Sequence, residues 1–338
     1  MNYEMAWIEP AYSKKAVGRA GKALTEGQGD SEALQIANNW RAAHAYSLNR
    51  VQSNLRYWTK KVSPDSHTVT QRLKRMASVR GKLKRFPEMS LHRMQDLGGC
   101  RAIVPTIRQV YELRDKLTHS GKAVVARDYI AAPREETGYR SLHLKSKHQG
   151  DDKWVGLCTE IQLRTEIQHA WATAVEIAGT FLKEDLKSGI GSPARLEYFR
   201  KVSLLFAKLE EDTAATSGIS ESEWSQLRAE VASATNKLGI DRSLSTFAVI
   251  IDSLPESSTD GYLVLRLDLH NNQISGVQYA STMLTQAVKQ YEIFEMEEEK
   301  YDTVLVSGKS IKELRRGYAN YFADSQLFRQ LLQEVIST

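Results

Sequence analysis

Apolar positions along this chain change period several times, and each change predicts an element. Between Ser31 and Lys61, Leu34, Ala37, Trp40, Ala43, Leu48, Val51, Leu55 and Trp58 recur near helical spacing, so one long helix is expected, with Ser31 placed to cap it. Ser63-Pro-Asp-Ser66 breaks that pattern. A second, strongly basic helix is expected over residues 68–86. Short apolar runs then alternate with helical ones. Strands are expected over Cys100–Val104, Ala123–Ile130, Ser141–Lys147 and Val155–Leu163, with helices over Ile107–Leu117 and from about Thr165 to Leu186. Two further helices, Ala194–Ala215 and Glu221–Leu238, are parted at Ser217-Gly218. Beyond Gly239 strands return at Phe247–Ile251, Tyr262–Leu267 and Ile274–Tyr279, the last two joined by a turn at His270-Asn-Asn-Gln273. A helix over Thr282–Glu292, a strand at Val304–Val306 and a helix over Ile311–Val335 complete the chain.

The fold class is therefore α+β, a mixed β-sheet flanked by helices. Residues 1–30 mix Gly, Ser, Lys and Glu without a period and are expected to form a flexible arm. Residues 31–190 carry the mixed sheet and its amino-terminal helix, 191–239 a helical extension, and 240–338 a smaller carboxy-terminal α+β domain. A length of 338 residues suits that division, and 41% apolar with 26% charged residues can bury a core without suggesting disorder. Two cysteines, Cys100 and Cys158, are too few for a disulfide framework and lack metal-site spacing, so both are expected to be small buried residues. The chain shows no signal-peptide pattern and no apolar run of membrane-spanning length, and a soluble cytoplasmic protein is expected. The net charge of +5 says little if spread evenly; clustered, it points to polyanionic ligands.

It is clustered. Arg72, Lys74, Arg75, Arg80, Lys82, Lys84 and Arg85 stand together with no acidic residue among them. On a helix Lys74, Ser78 and Lys82 would share a face, which suits a triphosphate, although a solvated or RNA-facing helix is the plain alternative. In Met94-Gln-Asp-Leu-Gly-Gly-Cys-Arg-Ala-Ile-Val104, Asp96 precedes a glycine pair that feeds a strand, a good place for a metal-binding carboxylate. Arg101 lies inside that strand, where a cation needs a partner; the alternative is that it simply pairs with Asp96. The loop after the next strand holds Arg127, Arg134, Gly138, Tyr139 and Arg140, with His143 just beyond. Tyr139 could offer a plate for a purine, or fill core. On the following strand Glu160, Gln162 and Arg164 project from one face and Ile161 and Leu163 from the other. Glu160 could then hold a metal with Asp96 or take a proton from an attacking hydroxyl.

These segments, in this order, resemble the synthetase domain of the RelA/SpoT family, the enzymes that make the alarmones ppGpp and pppGpp. The likeness rests on Arg72-Leu-Lys74 with Ser78 and Lys82, Asp96-Leu-Gly-Gly-Cys-Arg101, Asp128-Tyr-Ile130 with Pro133, Gly138-Tyr-Arg-Ser-Leu-His143, and Glu160-Ile-Gln-Leu-Arg-Thr165 followed by His169 and Trp171. The resemblance implies a nucleotidyltransferase-like sheet and a Mg2+-dependent transfer of pyrophosphate from ATP to the 3′-hydroxyl of GDP or GTP. It implies that Arg72, Lys74, Ser78, Lys82 and Arg101 hold the ATP phosphates, that Asp96 binds Mg2+, and that Glu160 assists it or activates the acceptor hydroxyl. Tyr139 would stack on the acceptor base, with Arg127, Arg134, His143 and Gln162 around the acceptor.

The chain departs from the family in having Arg127 and Arg134 where lysines are usual, and in a longer, more acidic Glu135-Glu136-Thr137 loop. The acceptor therefore stays open. The family's small members include alarmone synthetases and toxins that pyrophosphorylate tRNA 3′ ends or make adenosine analogues. Some of the toxin-like members carry a carboxy-terminal domain that restrains the enzyme and senses phage proteins. An inactive nucleotide- or RNA-binding module is the alternative of another class. Residues 1–70 are too short for the hydrolase domain of long members, so synthesis alone is expected. A regulatory role that binds a protein partner is one expectation for residues 240–338; a homo-oligomer is another open expectation. Trp40, His44 and Asn49 are expected to pack against the sheet, and His169 and Trp171 to support the site or fill core. Glu292, Glu295, Glu297, Glu298 and Glu299 are expected to form a solvated face, with docking on the basic cleft as the alternative.

Overall fold

The computed structural model describes residues 7–26, 31–119, 121–150, 152–182, 184–211, 213–240, 244, 261–268, 271, 273–297, 301–308 and 325–337. One eight-stranded sheet organises them. Its strands are β1 (Thr68–Leu73), β2 (Gly98–Val104), β3 (Ala123–Asp128), β4 (Leu142–Lys147), β5 (Cys158–Thr165), β6 (Gly261–Asp268), β7 (Gln273–Ala280) and β8 (Tyr301–Gly308). Their order is β3-β4-β5-β2-β1-β8-β6-β7. Only β2 and β5 run parallel; every other neighbour is antiparallel. The helices are α1 (Lys14–Thr25), α2 (Ser31–Val62), α3 (Met76–Arg85), α4 (Ile107–Thr118), α5 (Glu166–Leu182), α6 (Pro193–Leu209), α7 (Thr213–Thr216), α8 (Glu221–Leu238), α9 (Leu284–Glu295) and α10 (Gln326–Ser337).

Side-chain alternation gives the sheet two unlike faces. Val69, Leu73, Cys100, Ala102, Val104, Leu144, Ile161 and Leu163 form a core with Leu48 and Leu55 of α2 and Val110, Leu113 and Leu117 of α4. Capping boxes start α4 at Thr106 and Gln109 and α8 at Ser220 and Glu223. A second core joins α5, α6, α8 and α10, where Phe328 lies 5.5 Å from Phe206 between ring centres. A third gathers Tyr262, Val264, Leu284, Val288, Tyr291 and Leu305 around Ala42 of α2. Among the described residues no helix is long and apolar enough to cross a membrane.

Four expectations change. Residues 68–86 are not one helix: Thr68-Val-Thr70, β-branched throughout, extends as β1, and α3 begins only at Met76. The supposed arm carries α1, capped by Ser13, with Val17, Ala20 and Leu24 buried in a cluster shared with α2. Its apolar stripe is short and rich in small residues, which hides its period. The glycine pair after Asp96 does not lead into a strand that starts at Cys100 but is itself the start of β2. Finally, the strands expected of residues 240–338 extend the same sheet, because β8 pairs with β1 through Gln71 to Ser307 and Arg72 to Val306. The strand expected at Phe247–Ile251 and residues 311–324 of the last expected helix lie outside the described residues.

A chain built on one sheet should unfold in one step. Val264 is fully buried at the centre of β6, and Val264→Asp places an unpaired carboxylate there. The expected cost is about 3 kcal/mol or more, read as a fall of the whole thermal transition. A separate early transition that leaves the main one unmoved would show that the two ends of the sheet do not stabilise each other.

Candidate active site

The polar face of the sheet forms the floor of a cleft of about 770 Å3. Two rows of paired residues cross it. One runs His143, Gln162, Arg101, Thr70 across β4, β5, β2 and β1; the other runs Lys145, Glu160, Gly99, Arg72. A Cβ at Gly99 would meet no atom within 4 Å, so the floor is bare between Glu160 and Arg72. Ligand oxygens can there approach the backbone itself.

On one side of this gap lies Asp96. Its Oδ2 sits 3.1 Å from Lys74 Nζ and 2.9 Å from Lys82 Nζ. Its Oδ1 is buried and has no hydrogen-bond partner among the described residues. Burial opposes ionisation of this carboxyl, but the two lysines more than offset it and hold it below its usual range. Burial lowers Lys74 in turn, with Asp96 working against the shift. Ser78 and Lys82 line the same wall, one turn apart on α3, although Lys74 stands just before the helix rather than on it. Arg72 and Arg101 lie on the floor, and burial together with nearby Arg164 brings Arg101 down to about 10. Glu176 of α5 counters them. Burial would raise its carboxyl, yet Lys187, Arg72 and Arg101 hold it well below the carboxylate range.

On the other side Glu160 accepts from Gln162 Nε2 at 2.7 Å and meets His143 Nδ1 at 3.2 Å. Burial alone would raise this carboxyl; the His143 bond and charge reverse that and hold it far below its ordinary value. His143 moves the opposite way. Against the effect of burial, Tyr139 and Glu160 raise it to about 9. Its Nε2 lies 2.8 Å from Tyr139 Oη, to which Arg164 also donates at 2.6 Å. Gln162 Oε1 accepts from Arg164 at 3.1 Å and from Arg101 at 3.3 Å, so this amide links the carboxylate to both guanidiniums.

Asp96, Glu160, Arg72, Lys74, Ser78, Lys82, Arg101, Arg134, Tyr139, His143 and Gln162 all line the cleft. Arg127 does not: it is exposed on β3 and donates to its neighbour Ala126 at 2.9 Å. Tyr139 is 6% exposed, its ring edge-on to Tyr129 and tilted against Trp171, so it offers no open plate to a base. The half-buried Tyr129 beside it also lines the cleft. Arg134 reaches Glu136 at 3.2 Å, both well exposed, so the acidic loop neutralises its own arginine. Gly138, at φ 76°, approaches the Arg200 backbone so closely that α6 fixes this loop. Trp40 and His44 are core, and burial lowers His44 to about 4. Trp171 is core as well, donating to Phe199 O at 2.8 Å. Sequence reasoning gave no role to Glu176, Lys187, Tyr129 or Asp302, which also line the cleft. Asp302 pairs with Arg75 only because β8 lies beside β1; no local pattern announces it.

This geometry can be tested at the bare floor and at His143. Gly99→Val suits a strand and should change stability by less than about 1 kcal/mol, yet weaken ATP binding at least about tenfold by filling the floor. Unchanged affinity in a calorimetric titration would place the phosphates elsewhere. Because the folded pKa of His143 is raised to about 9, its contact with Glu160 stabilises fully below the unfolded value of about 6.5 and is lost as pH rises through about 9. The stability lead of the wild type over His143→Gln, on the order of 1 to 3 kcal/mol, should therefore shrink across that window in parallel melts. A lead independent of pH counts against a charged His143.

Known proteins share parts of this chain. Uncharacterized proteins of Mycobacterium bovis and Mycobacterium tuberculosis are 28% identical over 234 residues, spanning 64% of this chain and 77% of theirs. Among solved structures, the small alarmone synthetase 2 of Bacillus subtilis is 20% identical with a TM-score of 0.44, covering 52% of this chain and 94% of its own. The small alarmone synthetase 1 of Bacillus subtilis bound to its product pppGpp is 26% identical with a TM-score of 0.42, covering 56% and 94%. Residues 71–181 match the family described as the region found in RelA / SpoT proteins. That segment holds both rows of the floor from Arg72 onward together with Asp96, Glu160 and Glu176, so the match to the region found in RelA / SpoT proteins falls on the cleft itself.

Proposed function

We propose that this chain transfers the β,γ-pyrophosphate of ATP to the 3′-hydroxyl of GDP or GTP, yielding AMP and ppGpp or pppGpp. The observation that carries the reading is Asp96, a part-buried carboxylate with one oxygen shared by two lysines and the other, buried, without a hydrogen-bond partner among the described residues, across a bare floor from Glu160. Two protein carboxylates together with substrate phosphates are the donor set Mg2+ usually takes. Among the described residues no cluster of three or more potential ligands competes for that role. Asp96 Oδ1 and Glu160 would hold the ion, which supplies charge neutralisation at the transferring phosphoryl groups.

The chain's own residues then account for the rest. Lys74, Ser78 and Lys82 line one wall at the donor triphosphate, and Arg72 and Arg101 meet it from the floor. The acceptor hydroxyl gives up its proton to solvent, and its oxygen bonds to the β-phosphorus as the bond from that phosphorus to the oxygen bridging to the α-phosphate breaks. That oxygen leaves with AMP, and the cations stabilise the charge that spreads over the phosphoryl oxygens. Glu160, held far below the carboxylate range, keeps its charge and so suits a cation or an orienting hydrogen bond better than proton uptake. His143, charged at neutral pH, would face acceptor phosphates rather than act as a base.

The decisive experiment offers GDP, GTP, ATP and bulk tRNA in parallel, with labelled ATP and Mg2+. Label in a 3′-pyrophosphorylated guanosine nucleotide, with AMP released, is expected. Label in tRNA or an adenine nucleotide would transfer the activity to that acceptor. Binding of ATP without any turnover would leave only a nucleotide-binding module. Asp96→Ala and Glu160→Ala should each reduce kcat/KM by about a thousandfold, and wild-type rates in either would remove that residue from the site.

A further inference from the structure

The acidic run that ends α9 does not lie wholly in solvent. Glu295, the last residue of that helix, pairs with Arg41 of α2 at 2.7 Å, their side chains only 9% and 2% exposed. The same carboxylate accepts from Tyr291 Oη at 2.7 Å and from the Met76 amide at 2.5 Å. Met76 is the first residue of α3, and Arg75 before it supplies no side-chain cap. Glu295 therefore satisfies an amide that a helix start leaves without a partner, at the end where the helix dipole favours negative charge. Arg41 also donates to Lys74 O at 3.5 Å, while the Lys74 amide donates to Leu97 O at 2.8 Å. Residues 74–76 are thus held from both sides, by α2 and α9 on one and by the chain before β2 on the other. From that fixed backbone Lys74 reaches Asp96, and Lys82 follows from α3 to the same oxygen.

We infer that Glu295 is a positioning residue for the ATP subsite: by anchoring the start of α3 it sets where Lys74, Ser78 and Lys82 meet the triphosphate. Residues beyond 240 then belong to the donor site's support. The inference rests on reading this wall of the cleft as the ATP site. Glu295 itself does not line the cleft. It acts through the Met76 amide and Arg41, both on the donor side and away from His143 and Tyr139. Its loss should therefore weaken one substrate and spare the other.

The test is calorimetric binding of a non-hydrolysable ATP analogue with Mg2+, and separately of GDP, to the full chain as wild type, Glu295→Ala and Glu295→Gln. Glu295→Ala should lose about tenfold or more in affinity for the ATP analogue while GDP affinity stays within about twofold. Glu295→Gln is the graded case: its carboxamide can still accept from Met76 and Tyr291 but has no charge for Arg41, so a smaller loss of about threefold is expected. Unchanged ATP affinity in both variants overturns the inference. So do equal losses for both ligands, which would mean a general loosening. Should Glu295→Ala not fold, Glu295→Gln alone decides by the same criteria. A wild-type chain that binds neither ligand overturns the proposed function as well, which separates the two failures.

Discussion

Cations crowded around one cleft repel one another, and the rest of this fold depends on how that repulsion is offset. Charges interact strongly where water is sparse, so each guanidinium or ammonium around the cleft needs an opposite charge close by. Asp96 lies between Lys74 and Lys82. Glu176 faces Arg72, Arg101 and Lys187. Asp302 takes Arg75, and Glu160 takes His143. The balance leaves Oδ1 of Asp96 buried and without a hydrogen bond from any described residue. A buried acceptor in that condition is costly unless a cation or donor completes it.

The compensating carboxylates come from distant parts of the chain, which explains why the sheet is so wide. Asp96 precedes β2, Glu160 is on β5, Glu176 on α5 and Asp302 on β8. Placing the last of these beside Arg75 requires β8 to pair with β1, and that pairing carries β6 and β7 into the same sheet. The helices contribute in the same manner. Gly138 meets α6, whose Ser203 donates to Gly138 O at 2.5 Å, so the loop bearing Tyr139 is held by a helix that contributes no side chain to the cleft.

The two sides of the floor differ in chemistry for a reason that lies in their neighbours. On the side of Asp96 the carboxylate is surrounded by cations and stays charged. On the other side Glu160, His143, Tyr139 and Arg164 form a continuous hydrogen-bonded chain. His143 rises because it lies between a carboxylate and a phenol, and Arg164 with His143 pulls that phenol down against its burial. Such a chain stores positive charge at His143 while keeping Glu160 ionised.

By itself the sequence determined the alternating rows. Period two on Cys158–Thr165 put Glu160 and Gln162 on the face opposite Ile161 and Leu163, and local order was enough to gather Asp96, the basic segment and His143 into one site. Those features are legible because they depend on residues close together in the chain. Tertiary structure decided what depends on residues far apart. It made Thr68–Leu73 a strand by giving it two partners, turned Tyr139 inward by offering it Arg164 and His143, and left Arg127 outside on an edge strand. It also took Glu295 from an acidic run, where charge alone predicts solvent, and buried it against Arg41 and the start of α3. Burial and pairing across 219 residues are set by which surfaces the whole sheet brings together, and no local pattern encodes them.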